Sequence, residues 1–238
     1  MTGLRLPALD TPLRTARTLA ALGGLNAGAA TGVAWGLLTR DRRRGRTVGA
    51  GLAARSSLAL AGVKVDAVGL GNLPDGPAVY VVNHQCPLDP VIVATLIPGE
   101  FTYVAKKEMR FDPTSIVGRV LIEPAYIDRS DTAQAVETLN ALVSRVRAGL
   151  SLVVFVEGTR TRTGELGSFR KGGFHVALQA GVPVVPVVLR NASDIMPRNA
   201  RLVRPGRVDV AVLEPVRDLT RDRLDEQVVA VRDRFIAT

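Results

Sequence analysis

From residue 63 onward the apolar positions form short β-branched runs: Val63–Val68, Ala78–Val82, Phe101–Ala105, Leu152–Val156, Val184–Leu189 and Val208–Leu213. Between them lie stretches with helical character at Pro90–Ile97, Thr132–Ala148, Gly173–Ala180 and Arg221–Ile236. Strands this short and uniformly apolar are buried on both faces. Their alternation with helices predicts an α/β fold, a mostly parallel sheet with helices on both faces. In such sheets reactive groups collect just beyond the carboxyl ends of the strands.

Before residue 63 the pattern is different. Thr18–Thr39 carries no charge over 22 residues, which as a helix measures about 33 Å, enough to cross a bilayer. Eleven of these residues are Gly or Ala, and Asn26 lies among them, so the drive to insert is weaker than in a Leu-rich span. Gly24, Gly28, Gly32 and Gly36 recur every fourth position and line one helix stripe that lets a second backbone approach closely. The matching segment is Val48–Val63, reached through the basic linker Arg40–Arg46. The expectation is a helical hairpin over residues 1–62, seated on the membrane, ahead of a catalytic domain over 63–238. A cleaved signal peptide fits less well, because the uncharged run is long and Gly-rich. A single span fits the length. A hairpin lying in one leaflet fits best, with basic residues at both ends and Arg55 interrupting the second segment. Trp35 suits a lipid interface or internal packing equally. Small-residue packing with no membrane consequence is the plain alternative.

Charge supports the membrane reading and removes another. The chain carries 31 Lys and Arg against 22 Asp and Glu, a net of +9. Residues 1–64 hold ten basic and two acidic side chains, so nearly all of the excess is N-terminal. Each such cation near an anionic membrane surface contributes about 1 kcal/mol. The body is almost neutral and aromatics are 4% of the chain, so nucleic acid is not an expected partner. A single Cys forms no internal disulfide, and two His with one Cys are too few soft ligands for a zinc site. No metal or bound cofactor is expected. No GxGxxG or GxxxxGK[ST] motif supports a nucleotide site.

The strand ends carry the candidate chemistry. After Ala78–Val82 comes Asn83-His84-Gln85-Cys86-Pro87-Leu88-Asp89-Pro90. An imidazole braced by a carboxylate is a competent base for a hydroxyl. Asp89 before Pro90 also suits a helix N-cap with Pro at the first helical position, and His84 alone could be a buried structural histidine. Lys106 and Lys107 follow the Phe101 strand, and Glu157-Gly158-Thr159-Arg160 follows the Leu152 strand, with Arg162, Arg170 and Lys171 beyond. Cations at neighbouring strand ends, beside a Gly turn with accessible N–H groups, suit a phosphate. Cys86 reads as structural in preference to a thiol nucleophile, and His175 as a packing or solvent residue. Asn191–Arg207, with Arg190, Arg198, Arg201, Arg204 and Arg207, reads as a surface loop able to meet headgroups or an acidic carrier protein.

Taken together, NHQCPLD, YVAKKEMRFDP with IDR at 127–129, FVEGTRTRTGELGSFRKGGF and GVPVVPVVL at 181–189 resemble the four ordered blocks of the glycerolipid acyltransferases of lysophosphatidic acid type. The likeness runs from about residue 63 to 190. Val156 stands where that family usually has Pro, and Cys86 where Ser is common. The resemblance implies acyl transfer from acyl-coenzyme A or acyl carrier protein to the sn-2 hydroxyl of lysophosphatidic acid, giving phosphatidic acid at the cytoplasmic face of the cell membrane. It implies His84 as base of the HX4D motif and Asp89 as its support. Glu157 and Gly158 would hold the glycerol and adjacent backbone, Lys106, Arg129 and Arg160 would bind its phosphate, and Thr159 would complete this substrate-binding set. Another lysophospholipid or glycerol 3-phosphate as acceptor remains open. So, in a different class, does a non-catalytic adaptor that binds anionic lipid.

Overall fold

The computed structural model describes residues 10–112, 115–128, 130–158, 166–197 and 200–238. Two long helices, α1 (Asp10–Leu38) and α2 (Arg42–Ala61), precede a seven-stranded sheet. The strands are β1 (Val63–Val68), β2 (Val79–Val82), β3 (Phe101–Lys106), β4 (Ala125–Ile127), β5 (Ser151–Phe155), β6 (Val184–Arg190) and β7 (Gly206–Val212). The helices between and after them are α3 (Asp89–Ala94), α4 (Ile116–Leu121), α5 (Thr132–Arg147), α6 (Gly172–Ala180), α7 (Ala192–Ile195) and α8 (Leu224–Ala237).

The spatial order is β1-β7-β6-β2-β5-β3-β4. Every neighbouring pair is parallel except β6–β7. The mostly parallel sheet expected from the apolar runs is therefore present. All four residues of β2 are fully buried, and alternate ones serve opposite faces. Tyr80 and Val82 join a core with the hairpin, Ile92 and Val93, whereas Val79 and Val81 pack with Leu142 and Val146 of α5 and with Phe174 of α6. With β2 flanked by β6 and β5, whatever follows it emerges at the middle of the carboxyl edge.

The hairpin is built as its glycines predict, with α1 and α2 nearly touching backbones. A Cβ on Gly32 would lie 2.2 Å from the Gly49 Cα, and one on Gly28 would lie 2.3 Å from the Ala53 nitrogen. Only a side chain of one hydrogen fits there. The Ser56 hydroxyl donates across the seam to the Gly24 carbonyl at 2.7 Å. The turn is shorter than the arginine-rich linker suggested, because α2 begins at Arg42 with the Asp41 carboxylate capping the Arg44 N–H at 2.9 Å. Cations in a first helical turn oppose the helix dipole. Glu100 and Glu123 offset this by pairing with Arg43 and Arg46, the Arg46–Glu100 contact at 2.7 Å. Ala50, Ala53, Ala54 and Leu58 of α2 share one apolar cluster with the sheet, and Ala21 and Ala29 of α1 join the same cluster.

A further expectation changes. Asn191–Arg207 is not a plain surface loop: Ala192 and Ile195 of α7 and Val203 are buried, and Arg207 lies in β7 paired with Asp66 at 2.6 Å. Arg198 lies outside the described residues. Among the described residues, no helix is long and apolar enough to cross a membrane.

Candidate active site

Beyond β2 the chain turns so that His84 and Asp89 meet. His84 Nδ1 lies 2.7 Å from Asp89 Oδ2, with the imidazole 20% exposed and the carboxylate fully buried. Asp89 is not the N-cap of α3. It is the first helical residue, preceded by Leu88 at the cap position, and its side chain turns back into the loop. There Oδ2 accepts the Gln85 N–H at 2.6 Å and the Cys86 N–H at 2.8 Å, while the Cys86 thiol donates to Oδ1 at 3.2 Å. A buried carboxylate is tolerable only when so supplied with donors. With Nδ1–H donating to Asp89, the other ring nitrogen is left as an acceptor. Nε2 has no hydrogen-bond partner among the described residues.

Burial first, then the Asp89 charge, pushes the Cys86 thiol well above its ordinary range. A protonated, fully buried thiol is no nucleophile. Cys86 acts here as a donor to Asp89, a job that Ser could also do. The same two causes, burial first, raise Tyr103, whose hydroxyl donates to the Pro90 carbonyl at 2.6 Å and pins the start of α3. The imidazole stacks on Phe155 with centroids 4.3 Å apart, and Phe155 stacks on Tyr103 at 5.9 Å. Aromatic faces thus fix the ring plane as Asp89 fixes its edge.

Backbone clasps hold this loop to the strands on either side. Asn83 is buried and continues the ladder with its side chain, donating to the Leu189 carbonyl at 2.9 Å and accepting the Leu189 N–H at 2.7 Å. The Gln85 side chain accepts the Ala192 N–H at 3.1 Å. On the β5 side, the Val156 N–H donates to the Val82 carbonyl at 3.0 Å. Proline could not make that bond, so the Val found here extends the β2–β5 pairing up to the histidine.

The remaining expected site residues fall as follows. Lys106 ends β3, exposed, with its ammonium 3.4 Å from Glu108. It stands two strands from β2, hence roughly 10 Å away at usual strand spacing. Lys107 pairs with Asp128, and hydrogen bonds from Lys107 and then Ser130 hold that carboxyl far below its usual range. Gly158 adopts φ +73°, and its N–H is committed to the Phe155 carbonyl at 3.0 Å. That N–H is therefore not the free anion donor the sequence suggested. Neither oxygen of Glu157 is free: Oε1 accepts the His84 N–H at 3.0 Å and Oε2 the Gly167 N–H at 3.1 Å. Arg129, Thr159 and Arg160 lie outside the described residues. His175 is exposed, as a solvent residue. Sequence reasoning missed Asn83, Tyr103 and Phe155; the polar residue closing the apolar run of β2 was the available sign of the first.

Comparison with known proteins bears on the chain's family. A family model described as Acyltransferase matches residues 64–190. The chain is 35% identical over 182 residues to the 1-acyl-sn-glycerol-3-phosphate acyltransferase of Saccharomyces cerevisiae, covering 74% of this chain and 60% of that protein. It is 32% identical over 177 residues to the human 1-acyl-sn-glycerol-3-phosphate acyltransferase alpha, covering 74% and 62%. It thus spans about 60% of the length of these curated relatives. The crystal structure of the 1-acyl-sn-glycerophosphate (LPA) acyltransferase PlsC from Thermotoga maritima superposes with a TM-score of 0.75 over 94% of this chain and 96% of that one, at 23% identity; the two share a fold. With the matched region running through β6 and enclosing His84, Asp89 and Glu157, this chain belongs to the acyltransferase family.

Proposed function

We propose that this chain is a 1-acylglycerol-3-phosphate O-acyltransferase of phospholipid biosynthesis. It moves a fatty acyl group from acyl-coenzyme A or acyl carrier protein to the sn-2 hydroxyl of lysophosphatidic acid. The observation that carries this reading is the His84–Asp89 pair at 2.7 Å, with Nε2 unpartnered among the described residues. The names borne by relatives 32–35% identical to this chain support the choice of acceptor. Nε2 takes the hydroxyl proton as the oxygen attacks the thioester carbonyl. The tetrahedral intermediate then expels the thiolate, which leaves as thiol with the proton from the imidazolium. Asp89 stabilises that cation, and no acyl-enzyme forms. Lys106, with Arg129 and Arg160, would meet the acceptor phosphate.

The acyl chains must reach a site at the sheet edge, so the hairpin is read as the part that seats on the membrane. Its first helix exposes Leu19, Leu22, Trp35, Leu37 and Leu38, the last 84% exposed. Apolar residues on a basic, Gly-rich helix suit burial in the interface of a single leaflet. The cytoplasmic face is the one on which coenzyme A and carrier protein are found.

The test supplies purified protein with labelled lysophosphatidic acid and acyl-coenzyme A, and follows thiol release and phosphatidic acid together. Equal formation of both supports transfer. Thiol without esterified product would mean a thioesterase, and neither product with retained vesicle binding would mean an adaptor.

A further inference from the structure

Asp225, Val228, Arg232 and Phe235 follow one another at spacings of three, four and three residues, so they share one face of α8. Val228 and Phe235 are buried in the apolar cluster formed with α5 and α6. The same face grips the chain that leads into α6. Asp225 pairs with Lys171 at 2.7 Å, and the Phe235 ring meets Phe169 edge-on with centroids 5.1 Å apart. Between these contacts the half-buried Arg232 spreads its guanidinium over two successive carbonyls. Nη2 donates to Leu166 at 3.2 Å and Nε to Gly167 at 3.1 Å.

The Leu166 carbonyl and the Gly167 N–H belong to one peptide unit, which is planar and trans. With the carbonyl turned to Arg232, the N–H points the opposite way and donates to Glu157 Oε2 at 3.1 Å. The other oxygen of Glu157, Oε1, accepts the His84 N–H at 3.0 Å. A guanidinium, a peptide and a carboxylate thus stand in series and end on the main chain of the residue that bears the base. Bonds in series polarise one another, and those with a charged end are roughly twice as strong as neutral ones.

We propose that Arg232 is a positioning residue for His84, acting through the Leu166–Gly167 peptide and Glu157. Fixing the carbonyl aims the N–H, the N–H fixes one carboxylate oxygen, and the other oxygen holds the His84 backbone while Asp89 and Phe155 hold its ring. A helix that lies beyond residue 190, where the family match ends, therefore helps to set the base without adding a group to the reaction. The kinetic consequences rest on the acyl-transfer reading; the series of bonds does not.

Substitutions at three positions and two readouts test this. Arg232→Ala removes both bonds to the carbonyls. Arg232→Lys keeps the charge but lacks the planar fork that meets two carbonyls at once. Phe235→Leu loosens α8 against Phe169 and leaves Arg232 in place. In acyl transfer to lysophosphatidic acid, Arg232→Ala should lose about threefold to tenfold in kcat, with the acceptor KM within about twofold of the unmodified protein. Arg232→Lys should fall between the two. In a Glu157→Gln background, where a single amide oxygen has already broken one link, Arg232→Ala should cost less than about twofold more. Phe235→Leu should keep its kcat although it loses thermal stability. By hydrogen exchange read at single amides, Arg232→Ala should speed His84 and Gly167 severalfold and leave Tyr80 and Val81 of β2 unchanged. If Arg232→Ala does not fold, Arg232→Lys carries both readouts. Unchanged exchange at His84, an undiminished effect in the Glu157→Gln background, or a raised acceptor KM at normal kcat would overturn the proposal. An equal loss of kcat in Phe235→Leu would overturn it too, by making α8 a general support. If the unmodified protein makes no phosphatidic acid, the acyl-transfer reading fails instead, and exchange still decides the series of bonds.

Discussion

The hairpin seam and the sheet edge solve opposite packing problems. Between α1 and α2 contact comes from what is missing: glycines at 28, 32, 45 and 49 leave room for backbone to meet backbone, and the seam needs little side-chain chemistry beyond the Ser56 hydroxyl. At the carboxyl edge of β2 contact comes from polar groups, each with a named partner: Asn83 on Leu189, Asp89 under His84, Glu157 on two amides. The first arrangement leaves the outer surface of α1 free to be apolar. The second holds the imidazole by its edge against Asp89 and by its face against Phe155. A small-residue seam fails when something is added, and a polar clasp fails when something is removed.

That contrast orders the expected effects. Asp89→Asn should be the most damaging to activity. An amide oxygen can replace Oδ2, and its NH₂ can face the Cys86 sulfur, so the geometry survives while the charge that supports an imidazolium is gone. Turnover should fall about 10²-fold or more with acceptor binding largely kept, as measured by steady-state kinetics. Next, Gly32→Leu forces the hairpin apart and should cost about 1–3 kcal/mol. In thermal unfolding that appears as a drop of roughly 2–4 °C per kcal/mol. The same protein, below its transition, should keep its turnover on a water-soluble short-chain acceptor. Leu19→Asp with Leu22→Asp should leave stability near normal and weaken sedimentation with anionic vesicles several-fold. Smallest, Val156→Pro deletes one ladder bond beside His84 and should cost about 1 kcal/mol in denaturant unfolding. A larger loss would mean that the extended β2–β5 pairing matters more than one hydrogen bond.

What was legible in the sequence follows the same division. Glycines every fourth residue and β-branched runs are local patterns, so the hairpin and six of the strands could be read directly. β4, with three residues, and α4 and α7, with six and four, are too short to show a period. The start of α2 was hidden because its first turn is written in arginines, which looked like a linker until Asp41 and Glu100 supplied partners. His84 and Asp89 lie five residues apart and were legible as a pair, yet the capping role assigned to Asp89 was not what its side chain does. Glu157 and Asn83 were visible as polar residues at strand ends, but the groups they hold were not legible. Their partners lie 73 and 106 residues away, and only the strand order brings them together.

The central claim is that His84, braced by Asp89, takes the acceptor's proton without any covalent acyl intermediate. The most direct measurement is single-turnover acyl transfer to lysophosphatidic acid by the unmodified protein, His84→Ala and Cys86→Ser. The account predicts phosphatidic acid from the unmodified protein and Cys86→Ser at rates within a few-fold, and from His84→Ala at least about 10²-fold more slowly. Near-normal transfer by His84→Ala, or an inactive Cys86→Ser beside an acylated unmodified protein, would contradict it.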